Sequence, residues 1–178
     1  MNKELLLKNL RNIPDFPKPG IQFKDIASLF DKPECVSEML DELVRLYKGK
    51  GITKVVGIES RGFIMGALLA HELNAGFIMC RKKGKLPGEV ISHSYQKEYG
   101  EDFIEIQKGS ITSDDIVLLH DDLLATGGSM RAAYDLVQTF RPRKIYVNFL
   151  IELLGEGLHG RSIFEEGTDL TSLLLVDN

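Results

Sequence analysis

The sequence predicts an α/β fold, a mainly parallel central sheet with helices on both faces. Three observations predict it. Short, continuous apolar runs recur along the chain: "KVVGI" (Lys54–Ile58), "AGFIMC" (Ala75–Cys80), "DIVLLHD" (Asp115–Asp121), "KIYVNFLIE" (Lys144–Glu152) and "LTSLLLV" (Leu170–Val176). Such runs suit strands buried on both faces. Helical patterns alternate with them, as parallel crossovers require. Polar or glycine-rich loops begin near Glu59, Arg81 and Asp121. In sheets of this kind ligands bind beyond the carboxyl ends of the strands, at a switch in strand order.

The elements follow in order. Glu4 to Asn12 reads as a short amphipathic helix. "PDFPKPG" (Pro14–Gly20) holds three prolines and reads as a loop. Val36, Met39, Leu40, Leu43, Val44 and Tyr47 recur at one-face helical spacing. Phe63–Leu73 reads as the helix between the first two apolar runs. "RKKGKLPG" (Arg81–Gly88) is too basic and too rich in Gly and Pro for a core element. Glu89–Gln107 alternates weakly, which fits two antiparallel strands. Met130, Ala133, Tyr134 and Val137 give the next helix its apolar face, and Pro142 stops it.

With 178 residues the chain suggests one domain, long enough for a sizeable core. Its 43% hydrophobic and 27% charged content is that of a soluble globular protein. The net charge of −4 gives no sign of a general nucleic-acid surface. Cys35 and Cys80 form no CxxC pair, so neither a metal site nor a disulfide framework is indicated. No apolar run approaches the roughly 20 residues that span a bilayer. The first residues are too charged for a secretory segment. A cytoplasmic protein without a membrane partner is expected.

The richest stretch is "IVLLHDDLLATGGS" (Ile116–Ser129). A strand-to-helix loop exposes amides without intrahelical partners, and these attract anions, most often phosphate. Gly127 and Gly128 allow close backbone approach, and Thr126 and Ser129 add hydroxyls. The GxxxxGK[ST] and GxGxxG patterns are both missing, so a nucleoside triphosphate is not the natural ligand. Asp121 and Asp122 directly at a phosphate would repel it. One sugar away they suit ribose hydroxyls, because an ionised carboxylate only accepts hydrogen bonds. A phosphorylated ribose carries both the anion and the diol.

"VLLHDDLLATGGS" resembles the phosphoribosyl diphosphate (PRPP) motif of the type I phosphoribosyltransferases. "PDFPKPGIQFKDI", "GIESRGFIMG", "RKKGKLPG" and "EYGEDFIEIQKG" resemble the adenine-using branch of that family. Together these stretches run in order from about residue 14 to 155. The resemblance implies the type I phosphoribosyltransferase fold. A small N-terminal hood (about 1–30) binds the base, and a core (about 31–178) carries a mobile antiparallel loop near 89–107. The implied reaction is adenine + PRPP → AMP + pyrophosphate in purine salvage, with Mg²⁺ bound mainly through PRPP and pyrophosphate. It also implies a homodimer, since in relatives some pyrophosphate contacts come from the neighbouring subunit.

Residue by residue, the resemblance places the 5-phosphate on Ala125, Thr126, Gly127, Gly128 and Ser129, and the ribose on Asp121 and Asp122. Glu59, Ser60 and Arg61 belong to the pyrophosphate loop, with a cis peptide expected at Glu59–Ser60. Arg81 and Lys85 are the best candidates for further pyrophosphate contacts, ahead of Lys82 and Lys83. Glu98 and Tyr99 fall on the closing loop, with Glu98 a candidate for proton transfer. Phe23 stacks on the purine beside Lys24, and Leu153 packs on its other face. Gln22, Lys24 and His120 depart from the family pattern, which more often has an apolar residue, Arg and an apolar residue there. Lys24 leaves hypoxanthine, guanine or xanthine open as the base. A PRPP-binding regulator without transferase activity is the other alternative. His120 is expected to turn away from the ligand into the core.

Overall fold

The computed structural model describes residues 1–97 and 100–177. The chain opens with α1 (Lys3–Asn9), β1 (Arg11–Pro14), β2 (Gln22–Asp25) and α2 (Ala27–Phe30). The predicted first helix therefore stops early, and Asn12 lies in a strand. Asn9 Nδ2 bonds back to Leu5 O, and Leu10 leaves helical geometry. β1 and β2 form an antiparallel ribbon pairing Arg11 with Asp25 and Pro14 with Gln22. The proline-rich loop between them contains a cis Phe16–Pro17 bond. Gln22 departs from the apolar pattern because it accepts a hydrogen bond from Asn12 Nδ2 across the ribbon, at 2.7 Å.

The chain continues through α3 (Pro33–Tyr47), β3 (Lys54–Ile58), α4 (Gly62–Glu72), β4 (Gly76–Lys82), β5 (Val90–Lys97) and β6 (Gly100–Gln107). Then come β7 (Ile116–Leu124), α5 (Gly128–Gln138), β8 (Lys144–Leu154), a 3₁₀ turn (Gly160–Ile163) and β9 (Leu170–Asp177). Seven strands form one sheet in the order β5-β6-β4-β3-β7-β8-β9. β4, β3, β7, β8 and β9 run parallel. β6 joins β4 antiparallel, and β5 joins β6 from Val90↔Gln107 to Lys97↔Gly100. Residues 89–107, read as two antiparallel strands, form a regular antiparallel hairpin over their described part. Arg81 and Lys82, expected in the basic loop, extend β4 and pair with Glu105 and Ile104.

Both faces of the sheet are covered. Val55 and Leu118 pack with Met39, Leu43, Met65 and Leu69 of α3 and α4. Their neighbours Val56, Val117 and Leu119 pack with Met130, Ala133 and Val137 of α5. Alternation along each strand supplies both cores. Helix α4 is apolar on nearly every side, and tight glycine contacts seat it on the sheet. A Cβ on Gly62 would meet His120 O at 2.8 Å, and one on Gly66 would meet Phe77 Cε2 at 3.1 Å.

β3 leads through α4 to β4 on one side, while β7 lies on the other. The switch in strand order therefore falls between β3 and β7. The carboxyl ends of these two strands carry Glu59–Arg61 and Asp121–Asp122.

Candidate active site

The loop after β7 builds a cavity of about 160 Å³. Its lining includes Asp121, Ala125, Thr126, Gly127, Gly128 and Ser129, backed by Leu123, Met130 and Phe149. Gly127 is left-handed (φ 83°), a conformation that favours glycine, and it starts α5 with no side-chain cap. The first amides of the helix are therefore left for a ligand, and the helix dipole favours an anion there. One cavity thus joins an anion-binding loop to a carboxyl group.

A second cavity, about 170 Å³, is lined by Ile58, Glu59, Cys80, Lys82, Tyr95, Ile104 and Ser129. Ser129 belongs to both, so the two spaces adjoin. The Glu59–Ser60 peptide is cis, as expected. Ser60 does not cap α4: Arg61 occupies the cap position, without a side-chain hydrogen bond to the helix.

The cationic groups are held by acids. Arg81 forks onto Glu59, with Nη2 2.9 Å from Oε1 and Nε 3.2 Å from Oε2. The Lys82 amide donates to the same carboxyl at 3.0 Å. The Arg81 bond holds the Glu59 carboxyl below its usual range. Arg81 Nη1 also donates to the carbonyl of Lys85, whose side chain is exposed. Lys83 Nζ instead lies over the Phe103 ring at 4.5 Å.

The acidic pair divides. Asp121 lines the first cavity; Asp122 is 3% exposed, and its Oδ2 lies 2.5 Å from Arg61 Nε. That ion pair is close but poorly aligned, for the oxygen has no well-directed hydrogen bond among the described residues. Arg61 also reaches the hood, its guanidinium carbon 5.9 Å from the centre of the Phe23 ring. Burial, then the charge of Asp122, pushes the Asp121 carboxyl well above its ordinary value. Burial also raises Asp122, against the pull of Arg61. The sequence suggests two ionised acceptors; the burial of both carboxyls instead makes the second ionisation costly.

Phe23 meets Phe16 edge-on at 5.1 Å. Lys24 follows Phe23 in β2 and so faces the opposite side of the ribbon. Leu153 is 8% exposed and packs in the core that also holds Leu6, Ile26 and Leu29, with Ala125 at its margin. Glu98 and Tyr99 lie outside the described residues. His120 is fully buried, as expected, and is neutral: burial lowers it to about 4. Its Nδ1 bonds Asn148 Oδ1 at 2.8 Å, and Asn148 Nδ2 donates to Thr171 Oγ1, which bonds Tyr47 OH. These long-range pairings leave no signal in the sequence, since each joins separate elements.

An uncapped loop at the β7–α5 junction, an adjoining acid and a second cavity lined by Glu59 and Lys82, all at the strand switch, fit a phosphoribosyl transferase. The chain belongs to this family: the phosphoribosyl transferase domain matches residues 26–161. Within the family the chain stands with the adenine phosphoribosyltransferases. It is 59% identical over 174 residues to the adenine phosphoribosyltransferase of Phocaeicola vulgatus, covering 98% of this chain and 99% of the relative. Identity to that of Bacteroides thetaiotaomicron is 57% over 174 residues, covering 98% of each. The crystal structure of APRTase from Giardia lamblia complexed with 9-deazaadenine superposes with a TM-score of 0.91 at 41% identity, covering 100% of this chain and 99% of that one.

Proposed function

We propose that this protein transfers the 5-phosphoribosyl group of PRPP to N9 of adenine, giving AMP and pyrophosphate. The observation that carries the reading is the pair of adjoining cavities sharing Ser129. PRPP carries a phosphate at one end of its ribose and a diphosphate at the other, and an uncapped helix-start loop beside a second cavity that holds Lys82 matches that shape.

In this reading the amides of Ala125–Ser129 hold the 5-phosphate, with the Thr126 and Ser129 hydroxyls beside them. Asp121 receives a ribose hydroxyl, which supplies the donor that a buried carboxylate lacks. Asp122 joins it on the sugar, its Arg61 pair keeping a negative charge near the developing oxocarbenium centre. The pyrophosphate lies along Glu59, Ser60, Arg61, Arg81 and Lys85, and Arg81 exchanges part of its Glu59 fork for phosphate oxygens. Phe23 stacks on the base, Leu153 bounds the other side, and Glu98 and Tyr99 close over the centre, Glu98 taking the base proton. Fixing both ends of the sugar makes geometry a large part of the rate. Displacement is direct, without a covalent enzyme intermediate.

The donor set suits Mg²⁺ carried by the substrate. Asp121 and Glu59 offer single carboxylates in separate cavities. Among the described residues no three His, Cys, Asp or Glu side chains cluster to hold a metal. Mg²⁺ characteristically keeps most of its shell on phosphate oxygens and water. When bound it neutralises charge on the leaving pyrophosphate. Support for a homodimer comes from the outer face of α4 and the neighbouring strand, where Ile64, Leu68 and Met79 are 46%, 40% and 41% exposed. Apolar groups presented together in this way fit a subunit interface.

Adenine is favoured over an oxo purine because Lys24 faces away from the Phe23 side of the ribbon. Pyrophosphate release from PRPP with adenine, hypoxanthine, guanine and xanthine tests the proposal. Rapid release with adenine alone is expected. Comparable release with an oxo purine would assign the other base, and no release with any base would leave only PRPP binding.

A further inference from the structure

The loop proposed to hold the 5-phosphate rests on a second segment of chain. Gly160, at the start of the 3₁₀ turn, donates its amide to Ala125 O at 3.0 Å. A Cβ on Gly160 would meet that same oxygen at 2.4 Å. A Cβ on Gly127 would meet Ile163 Cδ1 at 2.7 Å and Gly160 O at 2.8 Å. The two backbones touch because neither carries a side chain at the contact. From the helix side, Arg131 Nη1 donates to Ile163 O at 3.1 Å. By contrast, a Cβ on Gly128 would meet nothing within 4 Å. The loop is thus braced on one side and open on the other.

Arg161 fixes the brace. Its Nε and Nη2 fork onto Glu152 at 3.0 and 2.5 Å, and Nη1 donates to Leu170 O at 3.1 Å. Ser172 Oγ bonds both the arginine, at 3.3 Å, and Glu152 Oε2, at 2.7 Å. Glu152 is buried near the end of β8, and Leu170 and Ser172 belong to β9. A solvated ion pair of this kind contributes little when both partners are free to move. Here one partner is buried in the sheet, and the planar fork sets direction as well as distance.

We propose that Arg161 is a positioning residue for the sugar-phosphate loop: by clamping the Gly160–Ile163 turn to Glu152, it sets the spacing of the Ala125–Ser129 amides. It acts on phosphate recognition without touching the substrate. The inference rests on the proposed role of that loop and adds the element that holds the loop in shape.

The test compares wild type, Arg161→Ala, Arg161→Lys and Ser172→Ala. Ribose 5-phosphate affinity is read by calorimetry, KM for PRPP and for adenine by steady-state assay, and folding by thermal melting. Arg161→Ala is expected to weaken ribose 5-phosphate about tenfold or more and to raise KM for PRPP in parallel. KM for adenine should stay within about twofold. Arg161→Lys, which keeps the charge but loses the fork, should fall between wild type and alanine. Unchanged ribose 5-phosphate affinity in Arg161→Ala would overturn the proposal, as would equal rises in both KM values. Should Arg161→Ala fail to fold, Ser172→Ala decides: selective weakening of ribose 5-phosphate supports the clamp, and wild-type affinity overturns it. Wild-type protein unable to bind ribose 5-phosphate would instead overturn the functional reading itself, and this inference with it.

Discussion

Arg61 Nε sits 2.5 Å from Oδ2 of the buried Asp122 while the same guanidinium lies 5.9 Å from the Phe23 ring centre. One side chain from the β3–α4 junction thus links the acidic pair of β7 to the hood.

Removing Arg61 would strand Asp122 without its counter-charge. Breaking a buried ion pair costs about 3–5 kcal/mol; Arg61 is itself partly exposed, so about 1–3 kcal/mol is expected for Arg61→Ala. Urea unfolding at pH 7 measures it. Adding Asp122→Asn should recover much of the loss, because the orphaned charge is then gone. Additive losses in the double variant would contradict the pairing.

Neighbouring glycines of the loop should respond differently to alanine. Gly127→Ala forces a left-handed residue and a Cβ against Gly160 and Ile163, so a loss of about 1–3 kcal/mol is expected. Gly128→Ala meets no protein atom, yet Gly128 lines the cavity. Its melting temperature should stay near wild type while KM for PRPP rises severalfold. Melting curves and PRPP titrations on the two variants separate the effects.

Phe23→Ala should weaken adenine binding by about 1–3 kcal/mol, the usual worth of stacking one base on an aromatic ring. Ribose 5-phosphate binding should remain within about twofold, since the cavity at the Ala125–Ser129 loop contains no hood residue. Parallel calorimetric titrations of AMP and ribose 5-phosphate check this.

His120 makes stability depend on pH. Burial lowers its folded value to about 4, below the ordinary 6.5. Between these values the unfolded chain binds the extra proton, so stability falls as pH drops through that window, by up to about 1.4 kcal/mol per unit. Full stability from this group is present above about pH 6.5. Denaturant midpoints measured from pH 7 to 5 should show a steeper fall for wild type than for His120→Val. Equal slopes would mean the imidazole titrates normally in the fold.

The sheet was largely legible in the sequence because its strands are buried on both faces and read as unbroken apolar runs. β1 and β2 were not: each has four residues, none buried, flanking a proline-rich loop. The local apolar pattern carries the helix on to Asn12 because it does not record where Leu10 turns. β7 runs on through Leu124, past the acids at which its apolar pattern breaks, because it continues to pair with β8. The anion loop was legible, since strand, acids, glycines and helix are consecutive. The pairs Glu59–Arg81, Arg61–Asp122 and Glu152–Arg161 were not, because each joins segments that only the folded sheet brings together.

The most direct measurement is a crystal structure of the protein with AMP. The 5′-phosphate is expected within hydrogen-bond distance of the Thr126–Ser129 amides, with a ribose hydroxyl on Asp121 and the adenine against Phe23. A nucleotide seated elsewhere, or one whose phosphate avoids the start of α5, would contradict that placement.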